Sequence, residues 1–238
     1  MEIRGASALV TGAGRGIGRA IAKALAREGA LVTAVSRTPG ELDSLVAEIE
    51  KDGGRARAFA GDLRDASVCG AAVEAAVATF EGLQILVNNA AIGAFSNLAD
   101  TSDETWDAVL GTNLTAPFRL TRAALPHLTR RGGHVFMISS LAGSNAIAGL
   151  SAYCASKAAL DHLAACLMLE VRQQGVKVTT IAPGSVDTSF SAMPRGADTS
   201  WMLTAEDVAA TVVDLLRVRD GAHLSRVDMR PARPQKRV

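Results

Sequence analysis

The chain has 238 residues, a net charge of +1 and 48% hydrophobic residues, enough to bury the core of one α/β domain and too balanced in charge for a nucleic-acid-binding surface. No apolar run approaches the ~18 residues of a membrane span, and Met1 stands almost directly before the first strand-like run, so neither a membrane nor a targeting segment is expected. The three cysteines, Cys69, Cys154 and Cys166, have neither metal-ligand nor disulfide-framework spacing, which points to no metal site and to a reducing, cytoplasmic setting.

In chain order, a strand-like run at 6–10 leads into a glycine-rich turn and a helical pattern at 16–28 closed by Gly29. A strand at 31–35 follows. Thr38, Pro39 and Glu41 then read as a capping box with proline at the first helical position, opening a helix at 39–51. Next come a strand at 55–60, a helix at 67–80, a strand at 84–87 and a long helix at 103–129. A strand at 134–138 precedes a helix at 151–173 that stops before Gly175. A strand at 177–181 leads to an irregular stretch at 185–203, expected to cover the substrate as a loop. Thr204 and Asp207 form a second capping box before a helix at 205–218. The last strand, 226–229, runs into a basic, proline-broken tail at 231–238. This alternation predicts one α/β domain spanning 1–238, a doubly wound, Rossmann-like parallel sheet of seven strands with helices on both faces.

Two places carry chemistry. Tyr153 is the only tyrosine, and Lys157 follows four residues later on the 151–173 helix, so both side chains share one face. A free phenol, with pKa near ~10, exchanges protons poorly at neutral pH. A cation beside it favours phenolate and lowers that pKa. The pair is therefore equipped to move a proton on or off an alcohol or carbonyl oxygen. At the other end, Gly12, Gly14, Gly16 and Gly18 lie between a strand and a helix N-terminus, a cradle for a pyrophosphate. Their spacing departs from the G-x-G-x-x-G fingerprint, since the sixth position from Gly12 is Ile17.

Together these pieces resemble the short-chain dehydrogenase/reductase family over nearly the whole chain. Thr11, Gly12, Gly16, Ile17 and Gly18 look like its cofactor loop, and Gly61-Asp62-Leu63 like the turn that holds adenine. Asn88-Asn89-Ala90-Ala91 resembles its Asn-Asn-Ala-Gly turn, with Ala91 in the glycine position. Asn113 matches its active-site asparagine, Ser140 its strand-end serine, Tyr153 and Lys157 its catalytic pair, and the turn from Pro183 and Gly184 to Thr188 its nicotinamide-side turn. The resemblance implies that Ser140 holds the substrate carbonyl and Tyr153 donates the proton as hydride arrives. Lys157 lowers the Tyr153 pKa and binds ribose, and Asn113 orders a water that refills the proton through Lys157. Ser139 competes for the serine role, but on a strand it faces the opposite way. Asp62 and Leu63 would flank adenine, Asn89 and Ala90 would lie along the cofactor, and Val186 and Thr188 would meet the nicotinamide.

The second strand ends in Ser36 and Arg37 where a dinucleotide fold carries an acid for the ribose 2′-OH, and Arg15 lies in the glycine loop. Two guanidiniums and no carboxylate suit a 2′-phosphate, so NADP(H) is preferred over NAD(H). The expected activity is NADPH-dependent interconversion of a small-molecule carbonyl and a secondary alcohol. Reduction of a 3-oxoacyl-[acyl-carrier-protein] is a narrower alternative, weakened by Gln174 and by the chain's ending; a non-catalytic NADP-binding sensor is a further one. The resemblance also implies a homodimer through the 103–129 and 151–173 helices, with Leu120, Leu125, Leu160 and Leu167 as apolar positions there, or a homotetramer. Phe190, Met193, Trp201 and Met202 are candidates for an apolar pocket wall. His134 reads as structural, and Asp161 and His162 receive no role.

Overall fold

The computed structural model describes residues 1–190 and 197–233. The strands are β1 Ser7–Thr11, β2 Leu31–Ser36, β3 Arg55–Ala60, β4 Ile85–Asn88, β5 His134–Ile138, β6 Lys177–Pro183 and β7 Arg226–Met229. They form one sheet in the order β3-β2-β1-β4-β5-β6-β7, every neighbouring pair parallel. Successive strand side chains point to opposite faces, so Ala8 and Val10 enter one apolar layer and Leu9 the other. One layer lies under α1 Gly16–Arg27, α2 Pro39–Lys51 and α7 Ala205–Arg217. The other lies under α3 Ala66–Phe80, α5 Ala116–Arg131 and α6 Ser151–Val171. This is the doubly wound sheet expected from the sequence. Because β4 adds beside β1 after β3 has ended the opposite edge, the carboxyl ends of β1 and β4 flank the crevice where such sheets bind ligands. Among the described residues no helix is long and apolar enough to cross a membrane.

Several expectations are corrected. The helix expected at 103–129 is α4 Asp103–Leu110, a π turn Gly111–Thr115, and α5, which passes through Pro126. The apolar periodicity runs through the π turn and hides it. The capping box at Thr38 is not made: its side chain caps nothing, although Pro39 does open α2. The box at Thr204 and Asp207 is complete. The leucines assigned to a dimer face are core instead. Leu120, Leu160 and Leu167 are buried in the layer beneath α5 and α6, and Leu125 packs on that layer. The large apolar side chains exposed on these two helices are Phe118 and Leu169.

His134 is structural, as expected, and has a measurable consequence. It is buried at the start of β5, stacked on Phe136 with ring centroids 4.1 Å apart. Its Nε2 lies 2.8 Å from Thr179 Oγ1, which donates its own proton to the Leu224 carbonyl at 2.7 Å. Nε2–H must therefore be the donor, and the ring is neutral. Burial, then the neighbouring His223, pushes its pKa down to about 3. Below ~6.5 the unfolded chain takes up a proton that the folded ring refuses. Stability is thus full above that pH and falls as pH drops toward the folded value. Denaturant unfolding at pH 5 should show a loss of about 2 kcal/mol relative to pH 7.5 from this ring alone. His134→Gln, which keeps a partner for Thr179, should remove that part of the slope; an unchanged slope contradicts the assignment.

Candidate functional site

A cavity of about 910 Å³ opens at the carboxyl ends of the central strands. Gly12, Gly14, Arg15, Gly16 and Ile17 line it between β1 and α1; Ser36, Arg37, Asp62 and Leu63 line it beyond β2 and β3. Asn89 and Ala90 follow β4, Ser140 follows β5, and Tyr153 and Lys157 come from α6. Pro183, Gly184, Val186 and Thr188 complete it from β6 onward. Two predicted site residues are not on its wall. Gly18 is buried in the first turn of α1, packed against Gly12 and Asn89. Asn113 is buried in the π turn.

Local chemistry explains the glycine loop. Arg15, the N-cap of α1, is extended and offers no side-chain cap, whereas Asp65 and Thr204 cap α3 and α7. The first N–H groups of α1 thus have no side-chain cap to satisfy them. Thr11 ties the loop to the turn after β4: its hydroxyl donates to the Val87 carbonyl and accepts from the amides of Asn89 and Ala90. The Asn89 side chain donates back to the Thr11 carbonyl at 2.8 Å. Ala91, on the cavity wall, has no positive φ and so needs no glycine.

The far end is mixed in charge. Arg15, Arg37 and Asp62 face the cavity, and the Arg64 guanidinium bonded to Asp62 holds its carboxyl below the usual carboxylate range. No carboxylate was expected beside the two arginines from β2, yet α2 supplies one. A Cβ on Gly14 would lie 3.0 Å from Glu41 Cβ, 3.1 Å from Ser36 Oγ, and closer still to the Glu41 carboxylate. Glu41 thus turns toward the glycine loop and the cavity instead of back to Thr38.

At the reactive end, the Ser140 hydroxyl accepts from the Ala142 amide at 3.1 Å and lies on the cavity wall with Tyr153, opposing the rise that burial causes in the phenol pKa. Ser139 points away and donates to the Lys157 carbonyl at 3.5 Å. The Lys157 ammonium is buried, donates to the Ile138 carbonyl at 2.8 Å, and sits 5.7 Å from the centre of the Tyr153 ring. Burial pulls its pKa down to about 8, opposed by Asp161. The expected lowering of the Tyr153 pKa is not what this arrangement gives. Burial pushes the phenol up against the opposing effect of Ser140, and the Lys157 ammonium donates to the Ile138 carbonyl. The Asn113 side chain makes three bonds to protein: Oδ1 accepts from the Ile92 amide at 2.9 Å, and Nδ2 donates to the Ile92 carbonyl and to Ser156 Oγ. It clamps the chain after β4 to α6.

The sequence reading missed several wall residues. Phe95, Ile147 and Leu150 join Phe190 and Trp201 as apolar lining, and Arg230 and Pro231 reach the cavity from the end of β7. Phe190 lies 5.7 Å from the Tyr153 ring. Met202 does not line the cavity, and Met193 lies outside the described residues. The base of the 185–203 stretch is stapled: the Asp187 amide donates to the Leu203 carbonyl and the Leu203 amide to the Ser185 carbonyl.

Residues 6–198 match the short chain dehydrogenase family. The short-chain reductase protein NovJ of Streptomyces niveus is 38% identical over 231 residues, covering 90% of this chain and 88% of its own length. A metagenomic short-chain oxidoreductase solved in complex with NADP is 35% identical with a TM-score of 0.87, covering 98% of this chain and 100% of its own. A short chain dehydrogenase from Burkholderia cenocepacia J2315, also solved with NADP, is 34% identical with a TM-score of 0.89 over 97% of each chain.

Proposed function

The chain belongs to the short-chain dehydrogenase family, and on that premise we propose that it is an NADPH-dependent oxidoreductase that interconverts a carbonyl and a secondary alcohol, with Tyr153 as the proton donor. The observation that carries this reading is one cavity with Tyr153, Ser140 and Lys157 at one end and Arg15 and Arg37 at the other. The residues fit a dinucleotide. The α1 N-terminus is free of side-chain caps and opens on the cavity, with Gly12, Gly14 and Gly16 on the wall beside it. Gly12, Gly14, Gly16 and Ile17 would hold the pyrophosphate, Asp62 and Leu63 the adenine, Asn89, Ala90 and Lys157 the ribose, and Pro183, Gly184, Val186 and Thr188 the nicotinamide. When bound, the reduced nicotinamide supplies a hydride for the carbonyl carbon.

The protein's part is the oxygen. The Ser140 hydroxyl holds the carbonyl oxygen against the Tyr153 hydroxyl, which gives up its proton. A phenol raised by burial holds its proton at neutral pH but is a weak acid, so donation depends on stabilising the phenolate it leaves. The Lys157 ammonium stabilises the phenolate that forms, so reduction should decline as pH rises through about 8 and that charge is lost. Asn113 acts by holding the chain after β4 to α6. The apolar wall of Phe95, Ile147, Phe190 and Trp201 favours a bulky, uncharged ketone over a 3-oxoacyl group on a carrier protein. A panel of aryl ketones, alkyl ketones and 3-oxoacyl thioesters, followed at the nicotinamide absorbance, tests the reading. No turnover of any carbonyl would favour a non-catalytic binding role.

Cofactor choice rests on Arg15 and Arg37, and relatives solved with NADP support it. Glu41 beside Gly14 favours a second reading in which NAD(H) is also accepted through the ribose 2′-OH. Arg37→Ala should weaken NADPH by roughly 1–3 kcal/mol and leave NADH nearly unchanged, as titration of nicotinamide fluorescence would show. Equal losses for both contradict the assignment.

The same reading includes a homodimer through α5 and α6, supported by the exposed Phe118 and Leu169 rather than by the buried leucines. Light scattering at micromolar concentration should give twice the chain mass, and Leu169→Glu should reduce it. A monomer in both cases rules the dimer out.

A further inference from the structure

Asp161 lies one turn beyond Lys157 on α6, with its side chain 14% exposed. Its Oδ2 accepts from Arg226 Nη1 of β7 at 2.7 Å, while Oδ1 is buried with no hydrogen-bond partner among the described residues. Such an oxygen costs stability and calls for an explanation. Arg226 has two further bonds, to Ser144 Oγ at 2.9 Å and to Asp228 Oδ1 at 2.8 Å. Asp228 in turn meets Arg230, which lines the cavity, at 3.6 Å. The turn Leu141–Gly143, immediately after Ser140, is seated against this group. A Cβ on Gly143 would lie 2.7 Å from Asp161 Oδ2 and 3.2 Å from the Lys157 carbonyl oxygen.

We propose that Asp161 and Arg226 are a positioning pair for the reactive end: the carboxylate keeps the Lys157 ammonium charged, and the guanidinium holds that carboxylate while tying the Ser140 turn to β7. The proposal rests on the reading of Lys157 as a catalytic group. The surroundings single the pair out. On α6 itself the other titratable groups near Lys157 are Tyr153, the half-buried Cys154 and the exposed His162. The charged residues of α4, Asp103, Glu104 and Asp107, are exposed. His134 of β5 and Lys177 of β6 begin their strands, whereas the Lys157 ammonium meets the end of β5 at Ile138. Among the described residues Asp161 is the charge set against the burial that otherwise depletes the ammonium. Loss of Asp161 and loss of Arg226 should therefore move Lys157 in opposite directions, which a simple brace would not do.

The chain has five lysines, so 13Cε-lysine NMR can follow Lys157 directly, its signal assigned by its absence in Lys157→Met. In the native protein it should titrate at about 8. Asp161→Asn should lower that midpoint by about one pH unit. Arg226→Gln should raise it, because it removes a positive charge and leaves the carboxylate to Lys157 alone, and Arg226→Lys should return it toward the native value. The alkaline limb of carbonyl reduction should move the same way in each variant. Midpoints that stay fixed, or that shift in the same direction in both variants, overturn the pair. If Asp161→Asn does not fold, Arg226→Gln decides alone: a rise supports the pair, and no change or a fall overturns it. Full activity in Lys157→Met would instead sink the catalytic reading while the titrations still report on the pair.

Discussion

Tyr153→Phe is expected to lower turnover of carbonyl reduction by roughly 10²–10⁴-fold while NADPH affinity and thermal stability change little. The substitution removes one oxygen and leaves the ring. The ring keeps its packing, 5.7 Å from Phe190 and 5.7 Å from the Lys157 ammonium. Ser140 keeps the Ala142 amide as a partner, so the turn after β5 should stay in place. What disappears is the group proposed to give a proton to a carbonyl oxygen held by Ser140. Water would have to substitute, without orientation. The loss should fall on kcat, because KM draws on apolar contacts that the variant retains. Steady-state kinetics on the best ketone of the panel, with NADPH titrated separately, checks both halves. Activity within tenfold of native would remove Tyr153 from its proposed role.

The architecture was legible because it depends on local patterns repeated along the chain. Apolar runs of strand length alternating with amphipathic stretches leave few ways to bury both sheet faces, and the observed order follows. The glycine turn, Tyr153 and Lys157 were legible for a related reason: each is a short string whose spacing is itself the chemistry. What stayed hidden depends on where distant segments meet. Thr38 and Glu41 carry the letters of a capping box, but the close approach of Gly14 draws Glu41 into the cavity instead. Leu120 and Leu160 looked surplus on long helices, whereas each helix buries them against the sheet. The spacing of Lys157 after Tyr153 predicted a lowered phenol; burial, which no spacing reports, decides the direction. Arg226 bonds Asp161 across 65 positions, a distance at which no local pattern speaks.

Gly18→Ala and Gly70→Ala make the same chemical change, each on a helix, and should have opposite outcomes. Both sit in helical segments, α1 and α3, where alanine is intrinsically favoured over glycine by about 0.5–1 kcal/mol. Around Gly70 a new Cβ meets nothing within 4 Å, so that preference should appear as a gain in stability. At Gly18 the new Cβ would lie 2.5 Å from Asn89 Nδ2, 2.8 Å from the Gly12 carbonyl carbon, and nearer still to the Gly12 oxygen. Those atoms are backbone and a side chain already bonded to Thr11, so none can yield cheaply. Either α1 moves outward or Gly12 moves, and both displace the loop proposed to hold the pyrophosphate. Overpacking of this kind costs about 1–3 kcal/mol. An ångström-scale displacement at a positioning element can cost ~10²-fold in rate. Gly18→Ala should therefore melt lower, bind NADPH at least about tenfold more weakly, a change of ~1.4 kcal/mol, and lose most activity. Gly70→Ala should melt slightly higher with unchanged binding. Thermal unfolding and NADPH titration of the two variants together test this. If Gly18→Ala binds NADPH as the native protein does, close packing of α1 against β1 and the turn after β4 is not what shapes the loop.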